Sequence, residues 1–272
     1  MMDTRPVLFL DSGIGGIPYC RHFHRLYPAE PIVYLADRLH FPYGKRDRDE
    51  LVAILSGLME KIIRLVNPKI AVIACNTATV SALADLRSRF PGLPFVGTVP
   101  AVKPAVLATR TGKVGVLGTE RTIEDPYIRE LASQYGNGCE IVGIAAPELV
   151  EFVERRFLLA GENEKREQAR NYLNRFRAAG VDVLALGCTH FLFLLEEFHR
   201  EAAPGITVFE SIEGISRRIE SLLGDLDAFA ASDAISANDG CRLIVTGDEP
   251  VESSWQRWAD DLSFHLSLLE TK

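Results

Sequence analysis

No two cysteines of this chain stand at C-x-x-C spacing. The five thiols, Cys20, Cys75, Cys139, Cys188 and Cys241, are an odd number spread singly over 272 residues. That pattern fits neither a disulfide framework nor a structural zinc site, and it implies a reducing compartment. The six histidines show no ligand-like spacing, so no metal centre is expected. No apolar run is as long as a membrane span, and Met1-Met2-Asp3-Thr4-Arg5-Pro6 passes directly into a strand-like run. No membrane association and no signal peptide are therefore expected, and the location is expected to be cytoplasmic. A basic excess is also missing: 30 Lys and Arg against 37 Asp and Glu give a net charge of −7, which argues against nucleic acid as a partner. The densest charge run, Lys45 to Glu50, mixes both signs and reads as a solvated helix face. G-x-G-x-x-G spacing, a Walker lysine and a pyridoxal-phosphate or flavin motif are all absent, so no cofactor is expected.

What is present is a regular alternation. Strand-like runs at Val7–Leu10, Ile32–Leu35, Ile70–Ala74, Phe95–Gly97, Val114–Leu117, Glu140–Gly143, Val183–Leu186, Thr207–Phe209 and Arg242–Thr246 are separated by helix-length amphipathic stretches. Strands apolar on both faces in βαβα order predict an α/β fold with mostly parallel sheets covered by helices. Helices are predicted over Arg46 to Val66, before Asn67-Pro68, and over Glu164 to Ala179, stopped by Gly180. The stretch Gly224 to Gly240, rich in Asp, Ala, Ser and Gly, predicts a loop or flexible hairpin before a final strand and helix. The length suits two moderate domains. A weak internal echo supports two similar halves: Val7–Leu10 leads into Asp11 and Val114–Leu117 into Thr119, and a cysteine turn follows each at nearly the same separation.

Those cysteine turns, Ala74-Cys75-Asn76-Thr77 and Gly187-Cys188-Thr189-His190, each place a thiol at the carboxyl end of a strand, before a helix-like stretch. Buried free cysteine is usually a small core hydrophobe, and that reading stays open for each thiol alone. Against it stand Asn76, Thr77, Thr189 and His190, hydrogen-bonding residues at strand ends. A helix N-terminus beside a thiol also favours thiolate. Asp11-Ser12-Gly13-Ile14-Gly15-Gly16 reads as a tight turn whose backbone N–H groups suit an anion, and equally as a plain turn. Asp11, a carboxylate ending a buried strand, needs a partner or a task. Asp37, before Pro42-Tyr43-Gly44, reads either as a capping residue or as part of a site. Glu148 and Glu151 begin a helix, where the dipole alone favours carboxylates. Cys20, Cys139 and Cys241 read as core fillers.

Together these residues resemble the aspartate/glutamate racemase superfamily, and within it the glutamate racemases. The resemblance rests on Phe9 to Gly16, Asp37 with Pro42-Tyr43-Gly44, Ala74 to Ala78, Thr119 with Thr122, Gly187 to His190, and Thr246-Gly247-Asp248, in the family's order over nearly the whole chain. It implies two α/β domains, 1–97 plus 209–272 and 98–208, with the active site in the cleft between them. It implies cofactor-independent interconversion of L-glutamate and D-glutamate, supplying peptidoglycan synthesis, and a possible homodimer. Cys75 and Cys188 would stand on opposite sides of the substrate's α-carbon. Asp11 would assist Cys75, and His190, with Glu151, would assist Cys188. Ser12, Pro42, Tyr43, Gly44, Asn76, Thr77, Thr119, Thr122 and Thr189 would line the substrate site. Two stretches depart from the family pattern: Glu210-Ser211 replaces a common Asp-Ser pair, and Arg38-Leu39-His40-Phe41 is bulkier and more polar than the typical Thr-Ala-Arg-Val. The second lies beside the expected pocket and leaves aspartate as an alternative substrate. A catalytically inactive protein of the same fold that binds an acidic amino acid is the other alternative.

Overall fold

The structure is a computed structural model that describes residues 3–136, 138–230, 241–248 and 250–270. The chain divides into two compact units, Met1–Thr98 with Ile212–Lys272, and Val99–Ser211. Each is built on a wholly parallel sheet covered by helices.

In the first unit the strands are β1 (Val7–Asp11), β2 (Ile32–Ala36), β3 (Ile70–Ile73), β4 (Phe95–Gly97), β9 (Arg242–Thr246) and β10 (His265–Leu269), in the order β10-β9-β2-β1-β3-β4. In the second they are β5 (Lys113–Gly118), β6 (Glu140–Ala145), β7 (Val183–Gly187) and β8 (Thr207–Phe209), in the order β6-β5-β7-β8. In both sheets the chain reverses direction beside the first strand. From β1 the chain moves to β2 on one side, then returns to β3 on the other; from β5 it moves to β6, then returns to β7. The loops therefore diverge at the carboxyl ends of β1 and β3, and of β5 and β7, the place where open parallel sheets bind ligands.

Apolar residues on both faces hold the central strands in place. Leu8, Leu10, Val33 and Leu35 pack with Leu51, Leu55, Met59 and Ile62, the inward stripe of helix Arg48–Val66. On the other face Phe9 meets Phe23 with ring centroids 5.9 Å apart. In the second unit Val114, Val116, Val183 and Ala185 pack with Val102, Val106, Ile128 and Ala132. A side chain at Gly115 would come within 2.9 Å of the Phe176 ring, so this strand position admits only glycine if the helix carrying Phe176 is to lie this close.

The helix expected from Arg46 begins at Arg48, because the Asp47 carboxylate accepts from the Glu50 N–H at 2.8 Å and caps it. The one expected from Glu164 runs over Glu162–Ala178, and Gly180 follows at φ +77°. Gly224 ends inside helix Ile212–Asp225 rather than opening a loop, and residues 231–240 of that expected loop lie outside the described residues. The final helix, Ser253–Leu262, is followed by a further edge strand, β10, that the sequence reading does not contain. Among the described residues no helix is long and apolar enough to cross a membrane.

Candidate active site

In the first unit three neighbouring strands end in chemistry. Asp11 is the last residue of β1 and is wholly buried. Its Oδ1 accepts from the Gly13 N–H at 2.8 Å and from the Ser12 hydroxyl at 3.4 Å, so the glycine turn folds back over its own carboxylate. The turn is held from below by Tyr34, whose hydroxyl donates to the Gly13 carbonyl at 2.8 Å and accepts from the Gly16 N–H at 3.1 Å. Beside β1, β3 runs out into Cys75, which occupies the N-cap position of helix Asn76–Arg89 and is 6% exposed. This helix end favours an anion. Asn76 and Thr77, both buried, form its first turn, and the Asn76 Oδ1 has no hydrogen-bond partner among the described residues. A buried amide oxygen in that condition suits an incoming donor.

Asp37 follows β2 and is also wholly buried. It accepts from the hydroxyls of Tyr43 and Thr246, each at 2.7 Å, and from His40 Nδ1 at 2.9 Å to both oxygens. Tyr43 is buried while Pro42 and Gly44 on either side are partly exposed. Burial first, then the Asp37 charge and hydrogen bond, then the charges of Cys75 and Asp11 push the Tyr43 phenol well above its ordinary range. Tyr43 therefore feels both candidate acid/base groups of this unit.

In the second unit Gly118 and Gly187 pair across β5 and β7, so Thr119 and Cys188 leave adjacent strands side by side in sequence register. Thr119 caps the short helix Glu120–Glu124, its Oγ accepting from the Thr122 N–H at 3.2 Å and lying 3.0 Å from the Thr122 hydroxyl. A side chain at Gly187 would sit 2.9 Å from the Leu117 carbonyl, which explains the glycine before the thiol. Cys188 is 6% exposed and precedes a 3-10 stretch, Thr189–Leu194, rather than an immediate α-helix. Thr189 and His190 are buried within it.

His190 Nδ1 lies 3.7 Å from the Cys188 sulfur, and its Nε2 lies 2.7 Å from Glu154 Oε1. Burial alone would lower the imidazole pKa, but Cys188 and Glu154 outweigh it and hold it well above the ordinary 6.5. The carboxylate on His190 is thus that of Glu154, one turn further along helix Pro147–Arg155 than Glu151, which is exposed. A signal for Glu154 existed in the sequence: it stands four residues after buried Val150 and next to buried Val153, at the border of the inward stripe. Asp37 and Thr246 each end an apolar run, but nothing local signals that they bond to one another across 209 positions. Among the described residues no group of three or more His, Cys, Asp or Glu is arranged to hold a metal ion.

A strand-end thiol near a buried acid or imidazole is chemically able to take and give a proton, and each unit carries such a thiol at its topological switch point. The chain is 37% identical to a glutamate racemase of Roseiflexus sp. over 90% of this chain and 89% of that one. It is 40% identical to the glutamate racemase of Treponema pallidum (strain Nichols) over 77% and 78%. The crystal structure of Escherichia coli glutamate racemase, in complex with L-glutamate and the activator UDP-MurNAc-ala, superposes with a TM-score of 0.83 at 30% identity, covering 98% of both chains. Residues 16–215 match the family described as Asp/Glu/Hydantoin racemase, a span that takes in both cysteine turns and Glu154, and the chain belongs to that family.

Proposed function

We propose that this chain is a glutamate racemase, interconverting L-glutamate and D-glutamate by proton transfer between two thiols. The observation that carries the reading is the matched equipment of the two switch points. Cys75 follows β3, the neighbour of the strand that ends in buried Asp11, and Cys188 is backed by His190 and Glu154. Inverting an α-carbon without a cofactor calls for a base on one face and an acid on the other, exchanging roles in reverse. One thiolate takes the α-proton while the other thiol delivers a proton to the opposite face. The carbanion formed on the way needs preorganised donors at the substrate's carboxylate, and Ser12, Asn76, Thr77, Thr119, Thr122 and Thr189 are assigned to this duty together with backbone N–H groups of the two turns. Pro42, Tyr43 and Gly44 complete the substrate site. Glu151, midway along the helix that carries Glu154, is assigned a supporting role to Cys188. The product D-glutamate would supply peptidoglycan synthesis, and a homodimer is part of this reading.

Incubation with L-glutamate in deuterium oxide, without added cofactor, tests it. D-glutamate carrying deuterium at the α-position, with racemisation lost in Cys75→Ala and in Cys188→Ala, is the expected result. A second reading, aspartate as substrate, draws on the bulkier Arg38-Leu39-His40-Phe41 stretch, and a higher initial rate with aspartate would establish it. Tight glutamate binding with no deuterium uptake would leave a binding protein instead.

A further inference from the structure

One of the two stretches that depart from the family pattern, Arg38-Leu39-His40-Phe41, carries an arrangement that the two-thiol mechanism does not use. His40 presents Nδ1 to both oxygens of Asp37 at 2.9 Å, from a short 3-10 turn, Arg38–His40. Asp37 also receives the Tyr43 and Thr246 hydroxyls. We propose that His40 is a positioning residue of the first unit's substrate turn: acting through Asp37, it fixes the Tyr43 hydroxyl so that Tyr43 meets substrate as a hydrogen-bond acceptor. The inference rests on the reading of Pro42-Tyr43-Gly44 as part of a glutamate site.

A carboxylate offers only lone pairs, so each of its three partners must donate to it. Tyr43 has a single hydroxyl proton, and at 2.7 Å that proton is committed to Asp37. What remains on the Tyr43 oxygen is acceptor capacity, in an environment where the charges of Cys75 and Asp11 are felt. The substrate group that such an oxygen receives is a donor, and on an amino acid this is the α-ammonium. An Asp37 tied only by two hydroxyls would turn about its Cα–Cβ bond, and Tyr43 would then be free to turn its proton towards the site. The imidazole Nδ1, equidistant from both oxygens, opposes this turn with one bifurcated N–H.

The backbone of the turn does not depend on the imidazole. Arg46 Nε donates to the His40 carbonyl at 2.9 Å, and the Leu39 N–H donates to the Thr246 hydroxyl at 3.1 Å. With its side chain 28% exposed, His40 is also open to substitution without a core cavity.

Steady-state racemisation of glutamate by the full chain and by His40→Ala, His40→Asn, Tyr43→Phe and His40→Ala/Tyr43→Phe tests the assignment. Asparagine places its amide nitrogen where imidazole places Nδ1. His40→Ala is expected to raise KM about tenfold with kcat held within about twofold, and His40→Asn to return KM to within about threefold of wild type. Tyr43→Phe is expected to raise KM as much as His40→Ala, and the double variant no further, because both act through one hydroxyl. An unchanged KM in His40→Ala, a lack of rescue by His40→Asn, or single effects that multiply in the double variant would overturn the proposal. If wild type binds glutamate without racemising it, the functional reading fails by itself, and calorimetric Kd values for the same variants still decide the role of His40.

Discussion

Glu154 receives the Nε2 side of His190 at 2.7 Å, and this leaves Nδ1, 3.7 Å from the Cys188 sulfur, as the nitrogen that faces the thiol. The carboxylate thereby orients the ring and, together with Cys188, holds the imidazole pKa up.

Replacing Glu154 by Gln is expected to lower kcat by about 10- to 100-fold, the loss of a hydrogen bond to a charged partner. The pH dependence should move as well. His190 titrates above the ordinary 6.5 in the folded chain, since Cys188 and Glu154 outweigh the opposing effect of burial. Its stabilising contribution is complete below that ordinary value and is lost as pH rises through the raised folded one. In Glu154→Gln the alkaline limb of the pH–rate profile should shift to lower pH; a limb that stays in place would remove Glu154 from the proton path.

Glu201 joins two helices of the second unit. Its carboxylate accepts from Arg170 Nε at 3.0 Å and Arg166 Nε at 2.6 Å, both on helix Glu162–Ala178, and its carbonyl accepts from Arg177. These guanidinium groups, Arg170 first, hold the carboxyl down at about 2. Its contribution is therefore present above the ordinary 4.5 and is lost as pH falls through the depressed folded value. Glu201→Gln should melt below wild type at neutral pH, with the gap closing as the pH is lowered past that range, and closing in part with added salt.

Gly16 lies where a Cβ would come within 2.7 Å of the Ala74 Cβ and 3.1 Å of the Tyr34 hydroxyl. Because Ala74 immediately precedes Cys75, Gly16→Ala should displace the thiol's strand end as well as strain the turn. A stability loss of about 1–3 kcal/mol by denaturant titration is expected, accompanied by a fall in kcat.

Lys69 and Glu30 form an ion pair at 2.6 Å with side chains 0% and 2% exposed. The ammonium also donates to the carbonyls of Asp3 and Ala228, and Glu30 accepts from the Ala230 N–H. Lys69→Met leaves a buried carboxylate without its cation and should cost about 3–5 kcal/mol in urea unfolding. Combining it with Glu30→Gln should recover most of that loss.

All nine strand runs read from the sequence lie within strands of the structure or overlap them, and the central ones, β1, β2, β3 and β7, are short apolar runs buried on both faces, the pattern of a covered parallel sheet. β10 escaped for the opposite reason. His265-Leu266-Ser267-Leu268-Leu269 is leucine-rich, has no β-branched residue and is partly exposed at a sheet edge, so pairing with β9 rather than local preference makes it a strand. The same division runs through the candidate site. Asp11, Cys75 and Cys188 are legible because each ends an apolar run. The bond of Asp37 to Thr246 spans 209 positions, and that of His190 to Glu154 spans 36. Neither distance leaves a local pattern, and for Glu154 the choice between two glutamates one turn apart depends on which borders the buried stripe.

The order in which these pieces leave the ribosome follows from the sheet order. The second unit is one continuous stretch and can complete its four strands while the first still lacks β9, which pairs directly with β2. Thr246, whose hydroxyl completes the Asp37 network, is the last residue of that strand. Nascent chains stalled short of β9 would thus hold a finished second unit and an open edge on β2, a species suited to chaperone capture and to proteolysis, and the Asp37 network closes only once β9 has been made.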